Sequence, residues 1–575
     1  MAFKSRHAWF LAFVAVFAAA AGFVFWGTWA LDMVPVMPDC PTSFPADYAA
    51  DWLRGWEENG KFVPGDVLPF LGGPYFWVEL RYVFAAFMAA LGMFYFLRGR
   101  GLSRLSSYAA GLFLAFSGYW FTLFSAGHLG WFQWMTYGVF AFGLIDRALL
   151  KGKVRHWVLL GACVAWASFN QSDLWLCFTV FTAAYFIYRT VASLPRGGRK
   201  DSRRTYRRWL LGSLVALATF VVVGLPSFRN AICSDLAGRE AQMERGDTTG
   251  ANAKEDPEAR WKFVTNWSLP PEDTVEFCRR GVHGDTSCQM TLAIGRMRGS
   301  GIRPYTGRLG CPLEHENDEI PEGGSYPNYR QHSLYMGWIT CLLALFALGA
   351  AAMPQSRGRR ADTLFLAVAA VLFWILSMGR YCEPAYRIVF HLPFGDLMRC
   401  PVKWHHLTEF CVVALSGFGL DALLGFFNGG KRRYPVAVAS AACILVVLNV
   451  GSLARNDSLY CAPHSADTNV VPLTRQPIPQ DPLQAAQFYD AVANQGLRPV
   501  GRSMVPVQLQ DGSVRELEML WVEQKVPRPQ VRKPGRGLGD VAYTMAVASA
   551  LATGLVVGFL LLSILVRGIG DLKIK

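Results

Sequence analysis

Phe394-Gly-Asp-Leu-Met-Arg-Cys-Pro-Val-Lys-Trp-His-His-Leu407 lies between two apolar runs, Leu364–Ser377 behind it and Leu407–Leu424 ahead of it. Proline is well placed at the first position of a helix, where its missing N–H costs nothing, so Pro401 marks a helix start. Arg399 and Lys403 flank that start. A helix N-terminus already presents unpaired N–H groups and a partial positive charge. Two added cations would make an anion site at the surface of a bilayer, with Arg as a bidentate phosphate donor and Lys as a point charge. A second reading stands beside this one: both cations are interfacial anchors that snorkel to lipid headgroups.

Working outward, the same alternation of apolar run and polar link fills the chain. It has 575 residues, is 52% hydrophobic, and carries 19 Trp and 40 Phe. Apolar runs of about 20 residues are the length of a membrane-spanning helix. About twelve can be drawn by that criterion: 9–31, 76–97, 107–125, 131–149, 157–171, 174–190, 209–226, 334–353, 362–378, 405–425, 435–453 and 541–566. The expected fold is mainly α, a polytopic membrane protein whose outer loop domains have mixed α/β character. The first run begins with charge, as a signal peptide does, but continues to Leu31 without a small-residue cleavage site and is expected to remain as an anchor.

The formal net charge is +14. Nucleic acid is one partner for such a charge, but its distribution argues against that. Basic residues cluster at Lys4/Arg6, Arg98–Arg104, Arg147–Arg155, Arg196–Arg208, Arg357–Arg360, Lys431–Arg433 and Arg567–Lys575. Each cluster falls in a short link on one side of the expected spans, as the positive-inside rule requires. Both termini are therefore expected in the cytoplasm, and the Arg196–Arg208 run is expected to pin topology and touch anionic lipid. Membrane lipids, not nucleic acid, are the expected contacts. Loops 32–75 and 226–333 and the segment 454–540 fall on the other side, outside the cell or in the periplasm of a bacterial inner membrane. The chain divides into a membrane domain over 1–453, the segment 454–540, read as small and β-rich, and a last span with its tail over 541–575.

None of the 13 cysteines lies in a basic link. Cys163, Cys177, Cys341, Cys411 and Cys443 fall inside spans. Cys40, Cys233, Cys278, Cys288, Cys311, Cys382, Cys400 and Cys461 fall on the outer side, where disulfides form. Cys278 and Cys288 are the nearest in sequence within the large loop. No Cys-x-x-Cys or His-x-x-x-His spacing suggests a metal site, and there is no Walker loop or dinucleotide fingerprint.

The first outer loop is acidic and aromatic, with a helix expected over 46–59 after Pro45. Asp32 ends the first run and Asp39 follows Pro38. Between spans three and four lies Ser125-Ala-Gly-His-Leu-Gly-Trp131. An ionisable group at membrane depth is a functional candidate, which singles out His128; a loop-packing histidine is the alternative. Asn170, Gln171 and Asp173 sit in the turn between spans five and six, either lining a cavity or simply closing the turn. Glu272 and Asp273 follow Pro270-Pro271, as candidate site carboxylates or an ordinary helix start. Arg380 ends the ninth span and can also reach a phosphate.

Several of these stretches resemble the YfhO-like proteins, members of the GT-C superfamily of polytopic glycosyltransferases. The resemblance rests on the aromatic-Gly segment with Arg-x-Pro-x-Lys at Arg399–Lys403 and on the apolar helix reaching Gly417-Phe-Gly-Leu420. Leu71-Gly-Gly-Pro74, Ala115-Phe-Ser-Gly118, Trp267-Ser-Leu-Pro-Pro-Glu272 and Tyr335-Met-Gly337 also carry it. It covers roughly residues 9–425 and is diffuse. It implies a GT-C-like membrane domain and an inverting transferase. The donor would be a lipid-linked sugar on polyprenyl phosphate, and the site would lie on the outer face. Asp39, or else Asp32, would be the catalytic acid of the first loop, removing the acceptor's proton or holding a divalent metal ion; the family's Gly-Asp is Pro38-Asp39 here. A transporter or flippase, and a non-catalytic subunit of envelope assembly, are the rival readings. Neither the sugar, the acceptor nor the oligomeric state is readable.

Overall fold

The computed structural model describes residues 6–25, 33–35, 73–118, 134–169, 172–194, 199–230, 256–283, 308, 334–353, 357–392, 395–428, 435–456, 461–463, 472–477, 497–508 and 514–524. In chain order, α1 is Arg6–Val24, β1 Met33–Pro35, α2 Gly73–Gly99 and α3 Arg104–Ala115. A π-helical turn, Trp134–Gly138, leads into α4, Val139–Lys151, followed by α5, Val154–Ala167, α6, Ser172–Ala192, and α7, Arg199–Asn230. Then come α8, Pro257–Val264, α9, Trp338–Ala351, α10, Arg357–Ser377, α11, Glu383–Phe390, α12, His405–Asn428, and α13, Pro435–Asn456. Four strands follow: β2 Cys461–Pro463, β3 Pro472–Pro477, β4 Leu497–Gln508 and β5 Val514–Gln524.

Among the described residues, five stretches are long and apolar enough to cross a bilayer: Tyr82–Gly99, Leu174–Ala192, Ser202–Leu225, Gly358–Ser377 and Pro401–Phe427. Shorter apolar helices run over Ala8–Val24, Val154–Ala167, Trp338–Ala351 and Ser440–Leu453. The protein is thus a helical integral membrane protein. Of the expected spans, 541–566 lies outside the described residues; 9–31, 107–125 and 157–171 are described only to Phe25, Gly118 and Phe169, and 131–149 only from Trp134. The helix expected over 46–59 also lies outside them.

Helix surfaces agree with this reading. Leu210, Leu214, Leu217 and Val221 of α7, Val368, Val371 and Leu372 of α10, and Ile444, Val447 and Leu448 of α13 are all exposed. They recur at helical spacing. Such apolar stripes are a liability in water and the natural lipid face in a bilayer. The opposite faces form the core. Phe142 of α4 stacks on Phe410 of α12 at 4.7 Å, and Phe96 of α2 and Phe181 of α6 pack on the same ring. Four helices therefore meet one turn below the start of α12. Further along α12, α9 crosses it closely: a Cβ on Gly419 would strike the Leu343 carbonyl, and small residues at such crossings let helix backbones approach.

The polar contacts collect at two ends. One holds the basic links and the ion pairs of Arg100, Arg189 and Arg359. At the other, Gly118 N donates to Tyr335 O at 2.8 Å, the Tyr335 and Ser452 hydroxyls are 2.9 Å apart, and α8, α11 and three short 3₁₀ turns pack together. Beyond α13, β1 pairs antiparallel with β2 in the register Val34↔Ala462, joining the chain just after α1 to the chain just after α13. Strands β3, β5 and β4 form an antiparallel sheet in that spatial order. The one-residue register shifts in both of its ladders fall beside Pro472 and Pro499, residues without an N–H to donate.

Candidate functional site

The end opposite the basic links is built on three interlocked segments. In the first, α8 is capped by Asp256, whose side chain accepts from Glu258 N at 2.9 Å, with Pro257 at its first position. It buries Trp261 and Phe263; Trp261 meets Tyr386 and Phe390 of α11 edge-on. After α8 the chain turns sharply. Thr265 Oγ1 donates to Trp261 O at 2.7 Å and Ser268 Oγ to Thr265 O at 2.6 Å, while Trp267 takes a left-handed φ of 56°. In the second segment, Leu269 N donates to Ser377 O at 2.9 Å and Arg380 N to Ser268 Oγ at 3.0 Å. Between them Gly379 has φ +51°, and a Cβ there would strike Ser268 Oγ and Pro401. Only glycine meets both demands.

The third segment is the stretch from Gly395 to Glu409. Asp396 pairs with Arg260 at 2.9 Å. Cys400, also left-handed at φ 66°, donates its N–H to Val264 O at 3.2 Å, and Val402 N donates to Trp267 O at 3.3 Å. Two strained residues thus face each other and are held by each other's segments. Between them the Arg399 guanidinium lies 4.5 Å from the Trp267 ring centre and 5.0 Å from that of Phe263. Cation–π stacking of this kind sets the plane in which the N–H donors lie. Pro401–Trp404 is a 3₁₀ turn with Pro401 at its start, continuous with α12. Its first-turn cation, Lys403, is 6% exposed. That burial departs from the anchor alternative, in which the ammonium reaches for headgroups.

Below Lys403 the burial of polar groups continues: His405, His406 and Glu409 are each 0% exposed. His405 and Glu409, four apart, share a face of α12. The His405 ring lies 4.4 Å from that of Phe277, and His406 meets Trp134 edge-on at 5.9 Å. Trp404 stacks on Phe373 at 5.6 Å. Burying cations and carboxylates is costly unless they are paired or used, so this cluster stands out as a built polar site. Arg399 and Lys403 stand at the start of α12, and the two histidines and Glu409 follow within its first two turns.

The remaining sequence candidates fall as follows. Arg380 belongs to the same interlocked end, its guanidinium 5.6 Å from the Tyr381 ring. Asp173 is on the first turn of α6, and α6 packs against the Pro401–Trp404 turn. Glu272 is exposed on the first turn of a 3₁₀ helix, Pro271–Phe277, whereas its neighbour Asp273 is 1% exposed. Asp32, Asp39, His128, Asn170 and Gln171 lie outside the described residues. His405, His406 and Glu409 were missed by sequence reasoning. Their signal was available: Glu409 is a carboxylate inside the apolar run Leu407–Leu424.

A second buried ionic cluster sits at the basic end. Asp146 accepts from Arg189 Nε at 2.6 Å, Tyr185 at 3.0 Å and Arg100 at 3.4 Å. Asp362 accepts from Tyr188 at 2.7 Å, Arg100 Nε at 3.1 Å and Arg189 Nη1 at 3.4 Å. Every oxygen of both carboxylates is engaged, and two negative charges balance two positive ones. Nearby, Asp421 pairs with Arg359 and accepts from Ser103 N at 2.6 Å. A closed, neutral lattice fastens helices and leaves no acceptor for chemistry.

No family model matches the chain, and no curated protein does.

Proposed function

We propose that the protein is a GT-C-type membrane glycosyltransferase, moving a sugar from a polyprenyl-phosphate donor to an envelope acceptor on the outer face. The single observation that carries the reading is the buried Lys403 in the turn that begins α12, beside the ring-stacked Arg399. A cation placed there, at the mouth of a helix start, suits the phosphate of a lipid whose tail stays in the bilayer. Arg399 holds the phosphate edgewise, Lys403 neutralises it as the leaving group, and Arg380, from the same interlocked end, assists. The base comes from the first loop, Asp39 or else Asp32. The donor arrives already on lipid, which fits a chain without a nucleotide-binding motif.

The test is transfer from radiolabelled polyprenyl-phosphate sugars by purified protein in lipid. Arg399→Ala and Lys403→Ala should raise the KM for donor and slow transfer, and Arg399→Lys should not restore it, because the stacked planar fork is lost. Asp39→Asn should spare donor binding and lower turnover roughly 10²–10⁴-fold. Chelation in the same assay reads any need for a divalent metal. Wild-type behaviour of all these variants, or no transfer from any lipid-linked sugar, would overturn the reading and leave a transporter or an assembly subunit.

A further inference from the structure

Cys278 closes the 3₁₀ helix Pro271–Phe277, and Cys341 is in the first turn of α9. The two segments are stitched together: Met336 N donates to Phe277 O at 3.0 Å, and the Cys341 thiol approaches the same carbonyl at 3.7 Å. Cys278 directly follows Phe277, so this contact brings the Cys341 sulfur alongside the Cys278 backbone. Both are thiols in this structure; Cys278 is exposed and Cys341 half-buried. Cys288, the nearest cysteine in sequence, lies outside the described residues, and Cys341, expected inside a span, is in the first turn of α9. We infer that Cys278 and Cys341 form a disulfide that fastens the 256–283 segment to α9.

The chemistry assigns the roles. Cys278 is exposed and Cys341 half-buried, so Cys278 is the thiol that an oxidant reaches first. Its thiolate attacks a disulfide carried by a protein thiol–disulfide oxidant, giving a mixed disulfide and releasing one thiol. Cys341 then loses its proton and attacks Cys278 Sγ, releasing the second. Two protein thiols become one disulfide and the oxidant's disulfide becomes two thiols, so atoms and electrons balance. The bond would sit one residue from Phe277, whose ring covers His405 at 4.4 Å. It would hold a wall of the buried polar site in place. The inference rests on the outer placement of this end, not on the glycosyltransferase reading.

The experiment is peptide mapping of protein alkylated in intact membranes before any reduction. The expected result is a Cys278–Cys341 linked peptide, with Cys278 alkylated only after reductant. In Cys341→Ser, Cys278 should become alkylatable without reductant. The melting temperature of the wild type should fall on reduction, and that of Cys341→Ser should not respond. Both cysteines free in unreduced membranes, or Cys278 joined to Cys288 or another partner, overturns the inference. Because no readout is transfer activity, a failed glycosyltransferase assay leaves the outcome legible.

Discussion

Trp267 and Cys400 are the non-glycine residues with left-handed backbone among those described, and they flank the Arg399 stack. Each such conformation costs about 1–3 kcal/mol and persists only where the surroundings over-determine it. Here the hydrogen bonds from Cys400 N and Val402 N do so. Glu276, on the same end, responds to pH. Burial raises its carboxyl above the usual range, opposed by the His283 N–H that it accepts at 2.9 Å. A carboxyl raised in the native state binds protons that the unfolded chain has already lost. Its contribution is therefore full below the unfolded value and disappears as pH rises through the native one. Glu276→Gln keeps the acceptor and removes the titration. It should melt higher than wild type at pH 8, with the advantage shrinking towards pH 4, in melting curves of detergent-solubilised protein. An advantage independent of pH would contradict this assignment.

Among the elements, α2, α4, α6 and α10 owe their alignment at the basic end to the lattice of Arg100, Asp146, Arg189 and Asp362. Its side chains are 13% exposed or less. Removing one member of a buried pair leaves an uncompensated charge, typically costing about 3–5 kcal/mol. Asp146→Ala should therefore lower the yield and melting temperature sharply. Asp421→Ala should cost less, because its partner Arg359 is 38% exposed and can reach water. Equal effects in thermal denaturation would show that the lattice is not the principal clamp. The same comparison separates the two buried clusters. A folded Asp421→Ala protein should keep its donor affinity, whereas Arg399→Ala should not.

For the whole molecule, the segregation of contacts supports one orientation. The described basic links share one end of the bundle, and the interlocked 256–283 and 377–409 segments share the other. On the reading that the basic end is cytoplasmic, segments 32–75, 226–333 and 454–540 are expected outside. Cysteines introduced at Gly250 and Gly512 should react with an impermeant maleimide in intact cells, scored peptide by peptide against native thiols. Reaction only after lysis would invert the topology, and with it the side on which donor phosphate is met.

Sequence by itself determined what depends on local pattern. Run length and hydropathy place the spans 174–190 and 405–425, which the structure forms as Leu174–Ala192 and Pro401–Phe427, because a bilayer demands about 20 apolar residues whatever the partners are. Pro401 marks the start of its helix through the geometry of a single ring. The clustering of Arg and Lys is likewise written in order along the chain. What only the tertiary structure decided is pairing and burial. Arg100 meets Asp362, 262 residues away, and the Cys341 thiol meets the Phe277 carbonyl, 64 residues away. Lys403 is enclosed because α6, α10 and the α8 segment close around the Pro401 turn. No periodicity encodes those encounters. They follow from helices packing to fill space and from buried charges finding opposite charges within the low-dielectric interior.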